Sequence, residues 1–226
     1  MLKFYFHPSP NPMNVVLFLE ETGLPHEVVP VDTRKGEQHA PAFRAINPNA
    51  KTPAIDDDGT IVFDSNAILL YLAEKTGQFL PPAQHRDELL SWLMFVATGI
   101  GPYSGQAVHF RHHAPDNNAY AVNRYTREIE RHYRILDERL TAQSYLVGGD
   151  YSIVDMALWG WANAVPFMLG DDAWSQFPHV KAWHERVGAR PAAQRSAAWR
   201  TRFSFKQEMD EEARQHMFPQ NASLAA

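Results

Sequence analysis

The chain has 226 residues, 26 acidic against 21 basic side chains, a formal net charge of −5 and no cysteine. The acidic balance argues against nucleic acid as the main partner. The absence of cysteine excludes a disulfide scaffold, a Cys-x-x-Cys redox motif and a nucleophilic thiol of the protein itself. If this protein performs thiol chemistry, the sulfur must arrive on a ligand.

No apolar stretch approaches the length that spans a membrane, and the N-terminus lacks the pattern of a signal peptide. We therefore expect a cytoplasmic protein that does not associate with a membrane. A chain of this length can bury a core either as one large domain or as two small ones.

The first third of the chain predicts a strand, a helix and a second strand, which together form a parallel crossover. Apolar alternation over residues 2–7 predicts the first strand, and residues 26–31 predict the second. Between them, Asn11 and Pro12 are typical of an N-cap and a first helical residue, and Gly23 is typical of a helix end.

The stretch from Asn47 to Ala54 (Asn-Pro-Asn-Ala-Lys-Thr-Pro-Ala) organises the next part of the chain. Pro53 stands where a strand should begin, which a sheet tolerates only at the first residue of a strand or on an edge. We expect the Thr52–Pro53 bond to be cis, so that the main-chain N–H and C=O of Thr52 turn outward and can pair with an extended ligand.

Residues 54–55 and 60–63 predict two short strands joined by an Asp-Gly turn. Asp64 and Ser65 then favour the start of a helix over residues 66–75. The free N–H groups at that helix end can bind an anion. Together with the Thr52 main chain, they predict a socket for a small acidic peptide.

From Arg86 onward the strand signals stop, and the periodicity predicts an all-helical half. The predicted helices cover residues 86–112, 117–140, 152–168 and 178–189. Within this half, Ser152 and Asp155 have the spacing of a capping box.

We therefore predict two domains and a tail that docks on them. The predicted boundaries are 1–78 for an α/β domain, 79–85 for a linker, 86–199 for an all-helical domain and 200–226 for a C-terminal extension.

The motif at residues 47–54, followed by the helix start at Asp64 and Ser65, resembles the glutathione-binding half of a cytosolic glutathione transferase. Ser-Pro-Asn at residues 9–11 resembles the Thr/Ser-Pro-Asn of the bacterial nu class. That class includes glutathione-dependent disulfide-bond oxidoreductases, and it is similar to the yeast nitrogen-regulator prion protein. The resemblance implies a homodimer of the glutathione transferase fold, with a thioredoxin-like α/β domain followed by an all-α domain.

Glutathione would then be the cosubstrate, and its thiol, with a pKa of about 8.5, must be converted to thiolate. Lowering that pKa by one to three units costs about 1.4 kcal/mol per unit, which one hydrogen bond of about 1.5–3 kcal/mol to a charged group can supply. The resemblance assigns this bond to Asn11, with Ser9 where the nu class often has Thr. From composition alone, Asn11 as a plain helix cap and Ser9 as a turn residue remain the alternatives. Tyr5 lies within the predicted strand, and we interpret it as a packing residue.

The resemblance also assigns the binding of the tripeptide. Thr52, beside Pro53, would clamp the cysteinyl main chain, and Asp64 and Ser65 would bind the γ-glutamyl amine and carboxylate. Asn66 departs from the family pattern, which more often has Gly at this position.

Two further assignments concern the ends of the ligand. Gln38 matches a position that contacts the glycyl end, and its alternative is an exposed polar loop residue. Arg131 resembles an arginine that reaches a ligand across the dimer interface. Its alternative is a solvated ion pair with the neighbouring Glu128 or Glu130.

The second substrate would lie between the two halves, where residues 99–115 resemble the cleft segment of the nu class. The expected wall residues are Tyr103, Gln106, His109 and Phe110. Because the histidines of this segment have no partner set of carboxylates or thiolates, we expect no metal site.

The sequence thus predicts a glutathione-dependent transferase with disulfide-bond reductase activity. Its second substrate would be a small-molecule disulfide or electrophile, and it would bind one or two glutathione molecules or oxidised glutathione. The alternatives are a glutathione-binding regulatory module without turnover, and a glutathione-dependent isomerase or etherase on the same fold.

Overall fold

The structure, a computed structural model, describes residues 1–114 and 118–221. Its N-terminal part contains one mixed four-stranded sheet in the order β2–β1–β3–β4. The strands are β1 (Leu2–Phe6), β2 (His26–Pro30), β3 (Ala54–Asp57) and β4 (Thr60–Phe63). β1 pairs with β2 in parallel and with β3 antiparallel, and β3 and β4 form an antiparallel hairpin.

These pairings confirm the predicted crossover and hairpin. In the hairpin turn, Asp58 and Gly59 have positive φ angles of 50° and 96°. Two consecutive positive φ angles are the geometry that an Asp-Gly pair favours in a two-residue turn.

Three helices accompany the sheet, and helices predominate in the rest of the chain that the structure describes. The helices are α1 (Pro10–Thr22), α2 (Pro41–Ile46), α3 (Ser65–Thr76), α4 (Arg86–Phe95), α5 (Gly101–Val108), α6 (Ala119–Arg139), α7 (Ile153–Ala162), α8 (Val165–Leu169), α9 (Pro178–Gly188), α10 (Pro191–Ala197), α11 (Trp199–Arg202) and α12 (Glu211–Met217). π-helical segments at Val96–Ile100 and His109–His113 follow α4 and α5 and make one continuous helical run. No helix among the described residues is long and apolar enough to cross a bilayer.

The start of α1 differs from the prediction. Ser9, not Asn11, is the N-cap, and Pro10 is the first helical residue. Both Pro10 and Pro12 are tolerated because the N–H groups of the first turn have no partner within the helix. The predicted role of Asn11 as a helix cap is therefore wrong.

The predicted helix over 152–168 is divided into α7 and α8. Pro166 explains the break, because a proline has no N–H to donate and its ring would clash with the carbonyl group four residues earlier. The predicted start of the helix over 117–140 falls on Asn117, which lies outside the described residues. Within them, Asn118 caps α6 by accepting from the N–H of Ala121.

The predicted capping box of α7 is confirmed, and it is connected to the core of the helical half. Asp155 is fully buried and accepts hydrogen bonds from the N–H of Leu146 at 3.1 Å, the N–H of Ser152 at 2.9 Å and Nε1 of Trp183 at 2.8 Å. Burial raises the pKa of Asp155 to about 6. Hydrogen bonds from several donors therefore offset the free-energy cost of burying the carboxyl group of Asp155.

The seam between α1 and α7 holds the two halves together. Asn14 of α1 is buried, donates from Nδ2 to the carbonyl oxygen of Ala157 at 2.7 Å and accepts at Oδ1 from the N–H of Gly160 at 2.7 Å. A Cβ atom on Gly160 would lie only 2.2 Å from the carbonyl oxygen of Pro10. The seam is this narrow because position 160 has no side chain.

We expect Gly160→Ala to lower the free energy of unfolding by at least about 2 kcal/mol, since the added methyl group must push α1 and α7 apart. Urea titration followed by circular dichroism measures this change. Gly188→Ala is the matched control: it also lies in a helix, but its Cβ would meet no atom within 4 Å. The control should stay within about 1 kcal/mol of the parent chain. Equal stability of the two variants would contradict the steric argument.

Candidate functional site

A cavity of about 1340 Å³ lies between the two halves. Its walls come from the end of β1, the start of α1, the loop before β3, the start of α3, the helices α5, α7 and α10, and the chain after α10. Its volume exceeds the roughly 300–1,000 Å³ that is common for small-molecule sites. The structure places eight predicted site residues on this cavity: Ser9, Asn11, Gln38, Thr52, Pro53, Asp64, Ser65 and Gln106.

One corner of the cavity is formed by the first turn of α1. Ser9 is the N-cap, but its hydroxyl group makes no capping hydrogen bond. Asn11 is the second residue of the helix, within its first turn, and its Oδ1 accepts a hydrogen bond from Nε1 of Trp161 at 2.7 Å. Its Nδ2 has no partner among the described residues. The corner therefore offers a hydroxyl group and an amide donor at the positive end of a helix, an arrangement suited to an anion.

The loop before β3 forms a second part of the site. The Thr52–Pro53 peptide bond is cis, as predicted. The hydrogen bonds of the described residues leave the main-chain N–H and C=O of Thr52 without a partner. Asn47 is buried and shapes this loop, donating from Nδ2 to the carbonyl oxygen of Lys51 at 2.6 Å and accepting at Oδ1 from the N–H of Asn49 at 3.0 Å.

The start of α3 forms a third part. Asp64, with a φ of 75°, is the N-cap of α3, and its Oδ1 accepts from the N–H groups of Asn66 and Ala67 at 2.9 and 3.3 Å. One carboxylate oxygen thus caps the helix and the other stays available to a cation. Ser65 is buried beside it, and Asn66 also borders the cavity, with an enclosed Oδ1 that has no partner among the described residues.

Gln38 is buried rather than exposed, which overturns its alternative as an exposed loop residue. Its Nε2 donates to the carbonyl oxygens of Thr33 and His216, at 3.1 and 2.9 Å. Its Oε1 is enclosed and has no partner among the described residues. In this structure the donor side of Gln38 is therefore occupied by the chain itself.

The occupying residue belongs to the C-terminal segment, which we define as residues 203–221. Arg34 donates to the main-chain oxygens of Lys206 and Gln207, and the N–H of Lys206 donates to Oδ2 of Asp32 at 2.8 Å. Phe218 packs against His109 with ring centroids 4.5 Å apart. The segment thus docks as expected, and it also forms one side of the cavity.

Four predicted residues do not border the cavity: Arg131, Tyr103, His109 and Phe110. Arg131 is exposed and donates from Nη2 to Oε1 of Glu128 at 2.7 Å, which holds the pKa of Glu128 at about 2. Within a single chain, Arg131 therefore forms the surface ion pair with Glu128 that was the alternative to a ligand contact.

The prediction that Tyr103, His109 and Phe110 form a wall of the second-substrate region is wrong for this cavity. Phe110 stacks on Tyr125 of α6, and Tyr103 packs beside the same ring. Gln106 does border the cavity, as do Gly101 and Gly105. Helical periodicity explains why some of these residues border the cavity and others do not. One face of α5 and of the helical segment that follows it packs on α6, and another face borders the cavity. Tyr5 packs edge-on against Phe43, as predicted.

Sequence reasoning assigned no role to several residues that border the cavity, among them His7, Arg200 and Trp161. Burial lowers the pKa of His7 to about 4, so this imidazole is neutral near pH 7. Its Nδ1 lies 3.2 Å from the carbonyl oxygen of Val31. No group of three or more His, Asp or Glu side chains within residues 1–114 and 118–221 is arranged to hold a metal ion.

Comparison with known proteins places this geometry in a family. Family models for the N-terminal and C-terminal domains of glutathione S-transferases match residues 8–75 and 93–191. Disulfide-bond oxidoreductase YfcG of Escherichia coli is 46% identical over 200 residues, covering 85% of this chain and 92% of the relative.

Two solved structures show the same fold. A glutathione transferase from Burkholderia graminis, with two glutathione molecules bound per subunit, has a TM-score of 0.82 at 36% identity and covers 89% of each chain. Glutathione transferase URE2P8 from Phanerochaete chrysosporium, with oxidised glutathione, has a TM-score of 0.83 at 33% identity and covers 88% of this chain and 95% of that one. The chain belongs to the glutathione S-transferase family.

Proposed function

We propose that this chain is a glutathione-dependent disulfide-bond reductase of the nu class, with glutathione as its cosubstrate. One observation carries the proposal: a cavity with anion-binding donors at the start of α1, in a chain that has no cysteine. The likeness to a disulfide-bond oxidoreductase and to glutathione-bound transferases supports it.

In this proposal, the first turn of α1 favours the thiolate form of glutathione. Nδ2 of Asn11 donates to the sulfur without losing a proton, and the hydroxyl group of Ser9 can donate beside it. Hydrogen bonds to a charged group contribute about 1.5–3 kcal/mol, and the helix end adds about 0.3–1 kcal/mol. These contributions suffice to lower the pKa of the thiol by one to two units.

The remaining cavity residues would hold the tripeptide. The main chain of Thr52 pairs with the cysteinyl unit, and Asp64 accepts from the γ-glutamyl ammonium group. Ser65 binds the γ-glutamyl carboxylate through its hydroxyl group and its own main-chain N–H, because the next two N–H groups of α3 already donate to Asp64. At the glycyl end, the atom of Gln38 without a partner is Oε1, an acceptor that can pair with the glycyl N–H but not with the carboxylate.

Reduction of a disulfide then takes two glutathione molecules. The first thiolate attacks one sulfur of the substrate disulfide, forming a mixed disulfide and releasing the other sulfur as a thiolate that takes up a proton. A second glutathione thiolate attacks the glutathionyl sulfur of the mixed disulfide, giving oxidised glutathione and a second product thiol. Both electrons come from glutathione, so the protein needs no cysteine. The volume of the cavity supports a reaction of two successive steps with two glutathione molecules. A cytoplasmic location would supply reduced glutathione.

We expect Asn11→Ala to raise the pKa of bound glutathione by about one to two units and to lower kcat/KM for a small-molecule disulfide about 10–100-fold near pH 6.5. Asn11→Asp should be worse, because a carboxylate repels the thiolate. Absorbance of the thiolate against pH and steady-state kinetics measure the two effects. If Ser9→Ala shows the loss and Asn11→Ala does not, the two roles are exchanged. If glutathione does not bind the parent chain, the proposed function is wrong.

We further propose that the protein acts as a homodimer. The exposed apolar side chains Ile61, Phe63, Leu90 and Met94 on β4 and α4 support a self-association surface. Arg131 lies away from the cavity of its own chain. In a dimer, it could reach the ligand of the partner, as the family resemblance implies.

In a dimer of this kind, Arg131→Ala should weaken glutathione binding about threefold to tenfold in calorimetry without changing the mass in light scattering. Arg134→Ala, an exposed arginine on the same helix, is the control and should bind like the parent chain. Met94→Glu should shift the mass toward the monomer, because a charge would be buried at the interface. A parent chain that is monomeric at micromolar concentration would overturn the proposal.

A further inference from the structure

The hydrogen bond between Trp161 and Asn11 connects residues 150 positions apart in the chain. Trp161 lies in α7 of the helical half, and its side chain is buried at the cavity wall. Asn11 lies in the first turn of α1, in the other half. The bond from Nε1 of Trp161 to Oδ1 of Asn11 is 2.7 Å long, a short and well-formed contact.

This bond decides which way the Asn11 amide faces. An indole N–H can only donate, so its partner must be the amide oxygen and not the amide nitrogen. With the oxygen held by Trp161, Nδ2 is the group that remains for a ligand. Without the indole, the terminal torsion of an asparagine has two broad minima, and the amide could turn its oxygen toward the thiolate.

The indole ring lies alongside α5. A Cβ atom on Gly101 would lie 3.6 Å from Nε1 of Trp161, and one on Gly105 would lie 4.0 Å from Cη2. These two glycines are one turn apart on α5 and present a flat surface to the ring. On the other side, the narrow seam at Gly160 and Asn14 fixes α7 against α1.

Trp159, two residues earlier on α7, provides a comparison. It is also buried, but its Nε1 is enclosed without any partner among the described residues. A tryptophan in this helix therefore does not find a hydrogen-bond acceptor merely by being buried. The contact of Trp161 depends on its position opposite Asn11.

We infer that Trp161 is a positioning residue, which orients the Asn11 amide so that its N–H donor faces the sulfur of glutathione. This inference rests on the proposed function. Trp161 acts through Asn11 and needs no contact with the sulfur. Formation of a competent thiol site therefore requires the helical half to be docked on the α/β half.

Trp161→Phe tests the inference, because it removes the N–H donor and keeps an aromatic ring at this position. We expect the pKa of bound glutathione, measured from thiolate absorbance against pH, to rise by about one unit. Below that pKa, the thiolate fraction and kcat/KM should fall about tenfold, while the dissociation constant for glutathione changes less than threefold. Trp159→Phe is the matched control and should leave the pKa of the thiol unchanged. Urea titration of both variants checks that they remain folded.

A double-mutant cycle with Asn11→Ala separates the inference from the proposed function. If Trp161 acts through Asn11, adding Trp161→Phe to Asn11→Ala should not raise the pKa of the thiol further. If Asn11→Ala alone leaves that pKa unchanged, the proposed activation by Asn11 fails and the inference fails with it. If Asn11→Ala raises the pKa but Trp161→Phe does not, or if the two effects add, only the inference is overturned. A folded Trp161→Phe chain that no longer binds glutathione would also overturn it.

Discussion

The narrow seam between α1 and α7 is the contact on which the rest of this molecule depends. It exists because Gly160 has no side chain at the point where α7 meets Pro10, and because the buried amide of Asn14 satisfies main-chain groups of α7. The seam has a chemical consequence as well as a structural one. The turn that carries Ser9 and Asn11 is brought against Trp161 of the other half, so the site is complete only where the halves meet.

The residues around the cavity are suited to a reaction in which the thiol belongs to the ligand and not to the protein. The chain has no cysteine, and the groups at the start of α1 are neutral donors, a type that can stabilise an anion without gaining or losing a proton. His7 is kept neutral nearby by burial. Arg34 and Arg200 also border the cavity, and their charge favours a ligand rich in carboxylates.

The C-terminal segment gives this chain a feature outside the matched family domains, which end at residue 191. Through Lys206 and Gln207 it engages Arg34, and through His216 it engages Gln38. These are main-chain contacts, so their pattern depends on the path of the segment more than on its side chains. The Gln38 side of the cavity is consequently shaped by this segment.

Sequence patterns correctly predicted those structural elements that are determined by residues close together in the chain. Alternation, an Asp-Gly pair, a proline at a strand start and a Ser-x-x-Asp spacing act over a few residues, and the structure has the strands, the hairpin, the cis Pro53 bond and the capping box. The errors arose where two local preferences competed. Asn11 is a residue type that favours the N-cap, but Ser9 occupies that position. Pro166 interrupts a helix that the apolar pattern predicted to continue.

By itself, the sequence determined the α/β half, the helical half and the family motifs around Asn11, Thr52 and Ser65, since each of these depends on neighbours in the chain. The tertiary structure alone decided that Trp161 faces Asn11 and that His216 covers Gln38. It also decided that Tyr103 and Phe110 turn toward α6. Such contacts join residues far apart in the chain, and they follow from how closely two helices approach, which no local pattern encodes.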